Sequence, residues 1–346
     1  TFYQILPFSQ KILSDCPKSG TVFIATVPFL CYNAVWSVFR LWTANGKRKG
    51  KCKKMARVAV LTDSNSGITQ EEAKKHGVYV LPTPFYINDR LYYEGIDLNG
   101  EKFYKLQESG AEIKTSMPIV GEVIDRWNEL LEDHDEIVYI PLSSGLSASC
   151  QTAISLAEEE PFAGRVFVVN NQRISVTMKL SVYEAKHLAN ERKTGAEIRD
   201  YLEQTKFDST IYIMVDTLEY LKKGGRITPA AAAIGSLLRL KPVLQIQGEK
   251  LDAYAKARTA KQAREIMLDA ILSDLNDRFG DPQAKGCVLS LAYTRDLEQA
   301  EVMRDMVQER FPDKKICIDP LSLVVACHTG PGAVGITATK SLLEEL

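Results

Sequence analysis

From residue 58 onward, short apolar runs alternate with amphipathic stretches. Val58-Ala59-Val60-Leu61 is apolar on both faces and stops at Thr62-Asp63-Ser64, which predicts a buried parallel strand feeding a polar loop. Ile68 to His76 reads as a helix, with Thr69 as N-cap, Glu72 three residues on and Gly77 closing it. Val78 to Leu81 and Pro84 to Ile87 read as extended. In Val120 to Asp133, Val123, Ile124, Trp127 and Leu131 share one helical face. A strand over Glu136 to Pro141 runs into the serine cluster, a helix follows over Ser147 to Glu158, and Arg165 to Val169 is the next strand. This alternation predicts an α/β architecture with parallel-type sheets.

A second unit begins near residue 210. Ile211 to Val215 reads as a strand, and Leu218 to Lys223 as a short helix closed by Gly224-Gly225. Pro229 to Leu240 is an apolar helix with proline at its start. Pro242 to Gln247 and Leu251 to Ala255 form a hairpin around Gly248. Ala260 to Phe279 is a long helix, Gly286 to Tyr293 a strand, Leu297 to Phe311 a helix and Lys315 to Pro320 a strand. A glycine-rich turn then leads into a last strand. The expected organisation is two α/β domains, 55–209 and 210–346.

Residues 1–54 do not fit this pattern. Residues 19–39 carry no charged side chain, and a basic run, Lys47 to Lys54, follows. That length and flank suit a membrane anchor, but Pro28 and Asn33 interrupt it. The preferred reading is an upstream extension with no role in the fold. A signal peptide fits least, because the basic run lies on the wrong side of the apolar one.

Composition narrows the class. The chain has 346 residues, 45% of them hydrophobic, and a formal net charge of −1. No basic field points to nucleic acid. Seven scattered cysteines include no CxxC pair, and four histidines do not cluster with them, so no metal site is expected. Isolated cysteines suit reduced, buried thiols in a cytoplasmic protein.

Three segments carry candidate chemistry. HTGPGAVGI (His328 to Ile336) joins a histidine to a hydroxyl and a glycine turn. Thr115-Ser116-Met117-Pro118 and Ser143-Ser144-Gly145-Leu146-Ser147-Ala148-Ser149 are hydroxyl clusters, the second at the end of a predicted strand and the start of a helix. Ligands of open α/β sheets sit at such strand ends, and a helix start favours an anion. Plain capping by serine and threonine accounts equally well for these positions when each is taken alone. Together they could enclose a carboxylate, which needs rigid neutral or cationic donors in an apolar surround. Thr115, Ser116 and Ser144 supply hydroxyls, His328 a ring N–H, and Arg226 a cation. Arg226 could instead cap carbonyls at its helix end. Asp63, Ser147 and Thr329 are supporting candidates. Cys327 beside His328 suggests a Cys–His pair, but the apolar run before it favours a buried inert thiol.

In combination, TDSNSGI (Thr62 to Ile68), KTSMP (Lys114 to Pro118), PLSSGLSAS (Pro141 to Ser149), DTLEYLKKGGRI (Asp216 to Ile227), KPVLQI (Lys241 to Ile246) and the histidine turn resemble the DegV family, in order and from about Met55 to the C-terminus. Met55 stands where proteins of that family typically begin. The family comprises fatty-acid-binding subunits of bacterial fatty acid kinase. The resemblance implies one long-chain fatty acid buried between two α/β domains, its carboxylate held by Thr115, Ser116, Ser144 and His328, with Arg226 in support. It implies no cofactor beyond that ligand and no catalytic residue in this chain. A partner fatty acid kinase catalytic subunit would phosphorylate the carboxylate for phospholipid synthesis, consistent with the lack of a GxxxxGK[ST] loop here. It also implies transient membrane contact, with the helix Pro229 to Leu240 as ligand entrance. Burial of each CH₂ of a chain of about sixteen carbons contributes roughly 0.8 kcal/mol.

This chain departs from the pattern at several positions. Met117 replaces Gln, Ile119 replaces Ser, Ala148 stands for glycine, and Val169-Asn170-Asn171-Gln172-Arg173 with Lys179 and Leu180 replaces an aspartate and glycine region. These put chain-length and saturation preference in doubt. Rival readings are a serine hydrolase using Ser144 or Ser147 with His328, a small-molecule kinase on a related fold, and a membrane-anchored protein. The first lacks a GxSxG elbow.

Overall fold

A computed structural model describes residues 56–234, 240–248 and 250–346. Strands of the first half are β1 (Val58–Asp63), β2 (Tyr79–Leu81), β3 (Pro84–Ile87), β4 (Arg90–Tyr93), β5 (Ile113–Thr115), β6 (Glu136–Ile140) and β7 (Val166–Val168). Those of the second half are β8 (Ser209–Met214), β9 (Lys241–Ile246), β10 (Asp252–Ala257), β11 (Cys287–Tyr293), β12 (Cys317–Pro320) and β13 (Val334–Lys340). Residues 1–55, and with them the proposed extension or anchor, lie outside the described residues.

The first sheet has the order β2-β1-β6-β7 and is parallel throughout. Successive residues of a strand face opposite ways, and both faces are covered here. Val60, Val138 and Ile140 join Met178 and Val182 of the helix Ser175–Asn190 in one cluster. Ala59, Leu61, Ile137 and Tyr139 meet Trp127 of the helix Val120–Asp133 in another. Burial on both faces is why these strands read as unbroken apolar runs. Thr69 and Glu72 form the expected capping box on the helix Gln70–His76, and Gly77 ends it in a left-handed conformation.

The second sheet has the order β10-β9-β8-β13-β11-β12. It corrects one expectation within the α/β class. Only β11 and β12 pair in parallel; every other pairing in this sheet is antiparallel. The hairpin β9–β10 and the return of β13 between β8 and β11 produce this. One face packs on the helices Ala260–Ser273 and Leu297–Arg310. The other gathers Ile213, Leu244, Ile246 and Ala292 with Leu146 and Val176 of the first half. The helix Ser175–Asn190 touches β1 and β6 on one side and β11 and β13 on the other. Its Lys179 is buried and pairs with Glu72 and Asp319, each at 2.8 Å, so a carboxylate from either half shares one cation.

A small antiparallel sheet, β4-β3-β5, completes the described strands. Phe85, Ile87 and Phe103 of this region pack on Leu323, Val324, Ala326 and Cys327. Those last residues form a seven-residue helix, Leu323–Thr329, where the sequence suggested only an apolar run before a turn.

Other boundaries also move. The expected Ser147–Glu158 helix spans Ser149–Ala157, with Ala148 at its N-cap and no side-chain cap bond, so the serine loop precedes the helix rather than opening it. The Ala260–Phe279 segment is α-helical to Ser273 and then widens into a π-turn over Asp274–Arg278. Of the expected Pro229–Leu240 helix, Pro229–Ile234 is helical and residues 235–239 lie outside the described residues. Among the described residues, no helix is long and apolar enough to cross a membrane.

Candidate functional site

The carboxyl ends of β1 and β6 lie side by side, and Asp63 ties them together. It is fully buried and accepts hydrogen bonds from Asn65 N (2.9 Å), Asn65 Nδ2 (2.7 Å) and Leu142 N (3.1 Å). Burial pushes its carboxyl upward, and these three N–H donors pull partly against that. Beyond Leu142 the serine loop closes on itself: the N–H groups of Leu146 and Ser147 donate to Ser143 O at 3.0 and 3.1 Å. Ser147 Oγ accepts from Ser149 N at 3.2 Å.

Thr115 ends β5, and Ser116 N donates to Pro84 O at 3.2 Å, which fixes the TS pair against β3. His328 comes from the last turn of the helix Leu323–Thr329. Its Nε2 and Thr115 Oγ1 are hydrogen-bonded at 2.8 Å, across 213 residues of chain. The ring lies over Gly224; a β-carbon built there would overlap Nδ1. Burial and the neighbouring Arg226 charge push the His328 pKa down to about 4, so the imidazole is neutral at pH 7. Arg226 donates to Leu146 O (3.3 Å) and to Gly224 O, joining the serine loop to the diglycine. It therefore caps carbonyls and lines the site at once.

These groups enclose a cavity of about 60 Å³. Its polar wall includes Asn65, Thr83, Thr115, Ser116, Ser147 and His328, with Arg226 beside them. Its apolar wall includes Met117, Leu142, Leu146, Ile174, Val324 and Val325. Leu146 and Val325 belong to the apolar cluster on one face of the second sheet, and Leu142 and Ile174 pack on it. Thr115, Arg226 and His328 also line an outer cleft of about 600 Å³ with Lys114, Tyr220 and Lys223. They form the partition between an inner, mostly apolar cavity and a larger outer one. An anionic head at the partition would meet donors, its tail would meet the apolar cluster, and the cleft would give access from outside.

Of the eight positions singled out in the sequence, Thr115, Ser116, Ser147, Arg226 and His328 line the inner cavity. Asp63 sits behind it as a tie between loops. Ser144 is half-buried and is not among the lining residues. Thr329 is buried, and its hydroxyl donates to Val325 O at 3.4 Å within its own helix. Asn65 and Thr83 line the cavity and were not foreseen. Asn65 falls two residues after Asp63 in the TDSNSGI segment and could have been found there. Thr83 stands between two prolines and carries no pattern. Cys327 is buried, which pushes its thiol well up and leaves no reactive Cys–His pair.

The fold and this enclosure define an α/β protein with a partly polar cavity at the strand ends, opening onto an apolar interior. Residues 57–341 match the family model described as uncharacterised protein, DegV family, and the chain belongs to that family. A DegV domain-containing protein of Deinococcus radiodurans is 30% identical over 284 residues, covering 81% of this chain and 97% of the relative. Protein DegV of Bacillus subtilis is 28% identical, covering 81% and 98%. Among solved structures, a DegV family protein from Thermus thermophilus, described by its fatty acid binding, aligns with a TM-score of 0.74 and 31% identity, covering 82% of this chain and 99% of that one. DegV from Bacillus subtilis, described as a fatty acid binding protein, aligns with a TM-score of 0.72 and 25% identity, covering 83% and 100%.

Proposed function

We propose that this protein binds one long-chain fatty acid, with its carboxylate at the Thr115–His328 partition and its chain in the apolar cluster between the sheet-bearing halves 55–209 and 210–346. The partition carries this reading. It joins a neutral imidazole, hydroxyls and a fixed guanidinium to the cavity's apolar wall. The two aligned relatives described as fatty acid binding support it. The cavity of about 60 Å³ suits a head group, so a long chain enters by parting the cluster of Leu146, Val176, Ile213, Leu244 and Val325.

The imidazole's partner favours lipid binding over a serine hydrolase. His328 Nε2 meets Thr115, while Ser147 Oγ accepts from the Ser149 N–H. A nucleophilic serine would need that ring nitrogen as its base.

The outer cleft gives a bound carboxylate a face toward a second protein. We infer that a partner fatty acid kinase transfers phosphate from ATP to it there, and that the acyl phosphate feeds phospholipid synthesis. In this reading the chain presents substrate and performs no chemistry itself. Brief membrane contact through the segment beginning at Pro229 would supply ligand.

Calorimetric titration of delipidated protein with hexadecanoate and with hexadecanol tests the carboxylate reading. Hexadecanoate should bind one to one and far more tightly than the alcohol. Equal affinity for both would exclude a carboxylate site at the partition.

A further inference from the structure

Thr83 is an unassigned member of the inner cavity. It is only 2% exposed, it lines the cavity, and its Oγ1 has no hydrogen-bond partner among the described residues. Buried hydroxyls are nearly always paired, so an orphan beside a cavity points to a missing ligand atom.

The surroundings hold Thr83 in place. Pro82 and Pro84 flank it, and proline at either side restricts the backbone. Its N–H donates to Ser64 Oγ at 3.1 Å, and Pro84 O accepts from Ser116 N at 3.2 Å. The residue is thus tied to the loop after β1 on one side and to the TS pair on the other. Being β-branched, it has few side-chain rotamers.

Some donors of the polar wall are already engaged. Thr115 and His328 are bonded to one another at 2.8 Å, and the Asn65 amide donates one hydrogen to Asp63 at 2.7 Å. A carboxylate has two oxygens and about four lone-pair sites. The Thr115–His328 pair can serve one oxygen, and the second can take further donors, of which Thr83 is the one buried without a partner among the described residues.

We propose that Thr83 anchors the ligand carboxylate, donating its hydroxyl proton to the oxygen turned away from His328. This rests on the fatty acid reading above. It separates two effects that usually run together. In the ligand-free protein the orphan hydroxyl is destabilising, and in the complex it is an anchor.

The test uses the full chain and its Thr83→Val and Thr83→Ser variants, all delipidated. Melting temperature is measured without ligand, and hexadecanoate affinity by titration. Thr83→Val keeps the shape and removes the hydroxyl. It should melt at or above the wild-type temperature and bind about tenfold more weakly. Thr83→Ser should bind within about twofold of wild type, because the donor is retained. Wild-type affinity in Thr83→Val overturns the proposal and leaves the fatty acid reading standing. So does a loss of affinity that comes with a lower melting temperature in both variants, which would mark a packing role. Absence of hexadecanoate binding in the wild type overturns both.

Discussion

The ring of His328 rests on the bare α-carbon of Gly224, in a space that any side chain at 224 would fill. The diglycine and the histidine are about a hundred residues apart in sequence, and each explains the other. The same holds one turn on, where a β-carbon at Gly330 would overlap the ring of Tyr220. Both contacts press the helix Leu323–Thr329 onto the helix Glu219–Gly224.

Gly224→Ala tests this packing. Gly224 ends a helix and has no left-handed constraint, so propensity alone would favour alanine there by up to about 1 kcal/mol. The expected outcome is the reverse. The melting temperature should fall, and hexadecanoate affinity should drop at least about tenfold as the imidazole is displaced. A more stable variant with unchanged affinity would show that the ring moves aside freely.

The helix Leu323–Thr329 has a titrating group at each end, with opposite effects. At its start, Glu94 Oε2 accepts from Leu323 N at 2.8 Å. Burial pushes the Glu94 pKa up to about 7 from 4.5, with backbone N–H groups pulling partly against that. At its end, burial and then Arg226 lower His328 from 6.5 to about 4. Glu94 therefore costs stability as pH rises from about 4.5 to 7, and His328 costs it as pH falls from about 6.5 to 4. In the wild type the two slopes partly cancel, each being worth at most about 3 kcal/mol. Unfolding measured from pH 4 to 7.5 should separate them. Relative to wild type, Glu94→Gln should lose stability more steeply on acidification, and His328→Gln less steeply. Parallel curves for all three proteins would contradict these assignments.

Ser147 and Ser144 make different predictions. Ser147 lines the cavity, and Ser144 does not. If the loop keeps this arrangement with ligand, Ser147→Ala should weaken hexadecanoate binding the more of the two, by about 1 kcal/mol. A larger loss in Ser144→Ala would mean that the loop re-forms around the bound carboxylate. Titration of both variants decides.

The first sheet is legible because its strands are buried on both faces, and the helices beside it because of a capping box in one and an apolar stripe in another. The Thr69–Glu72 box and the Val120–Asp133 helix fall where the pattern puts them. The second sheet is harder, because an apolar strand reads alike in either direction and only the connections decide. The helix Leu323–Thr329 is apolar nearly throughout, with six of its seven residues buried, so no 3.6-residue period marks it. The stretch from Asn88 to Glu108 carried a missed signal. Asn88 and Asp89 both take positive φ, at 49° and 61°, in the tight turn between β3 and β4. Asn99 caps the following helix Gly100–Glu108. At the site, motifs disclosed the residues that recur in a recognisable order. Thr83 and Glu94 are set by tertiary packing and have no local signature.

Native mass spectrometry of the purified protein decides whether a fatty acid occupies the site. The chain should carry one non-covalent adduct with the mass of a long-chain fatty acid, released on denaturation and strongly diminished in His328→Ala. A bare chain that also takes up no hexadecanoate when it is added would contradict fatty acid binding.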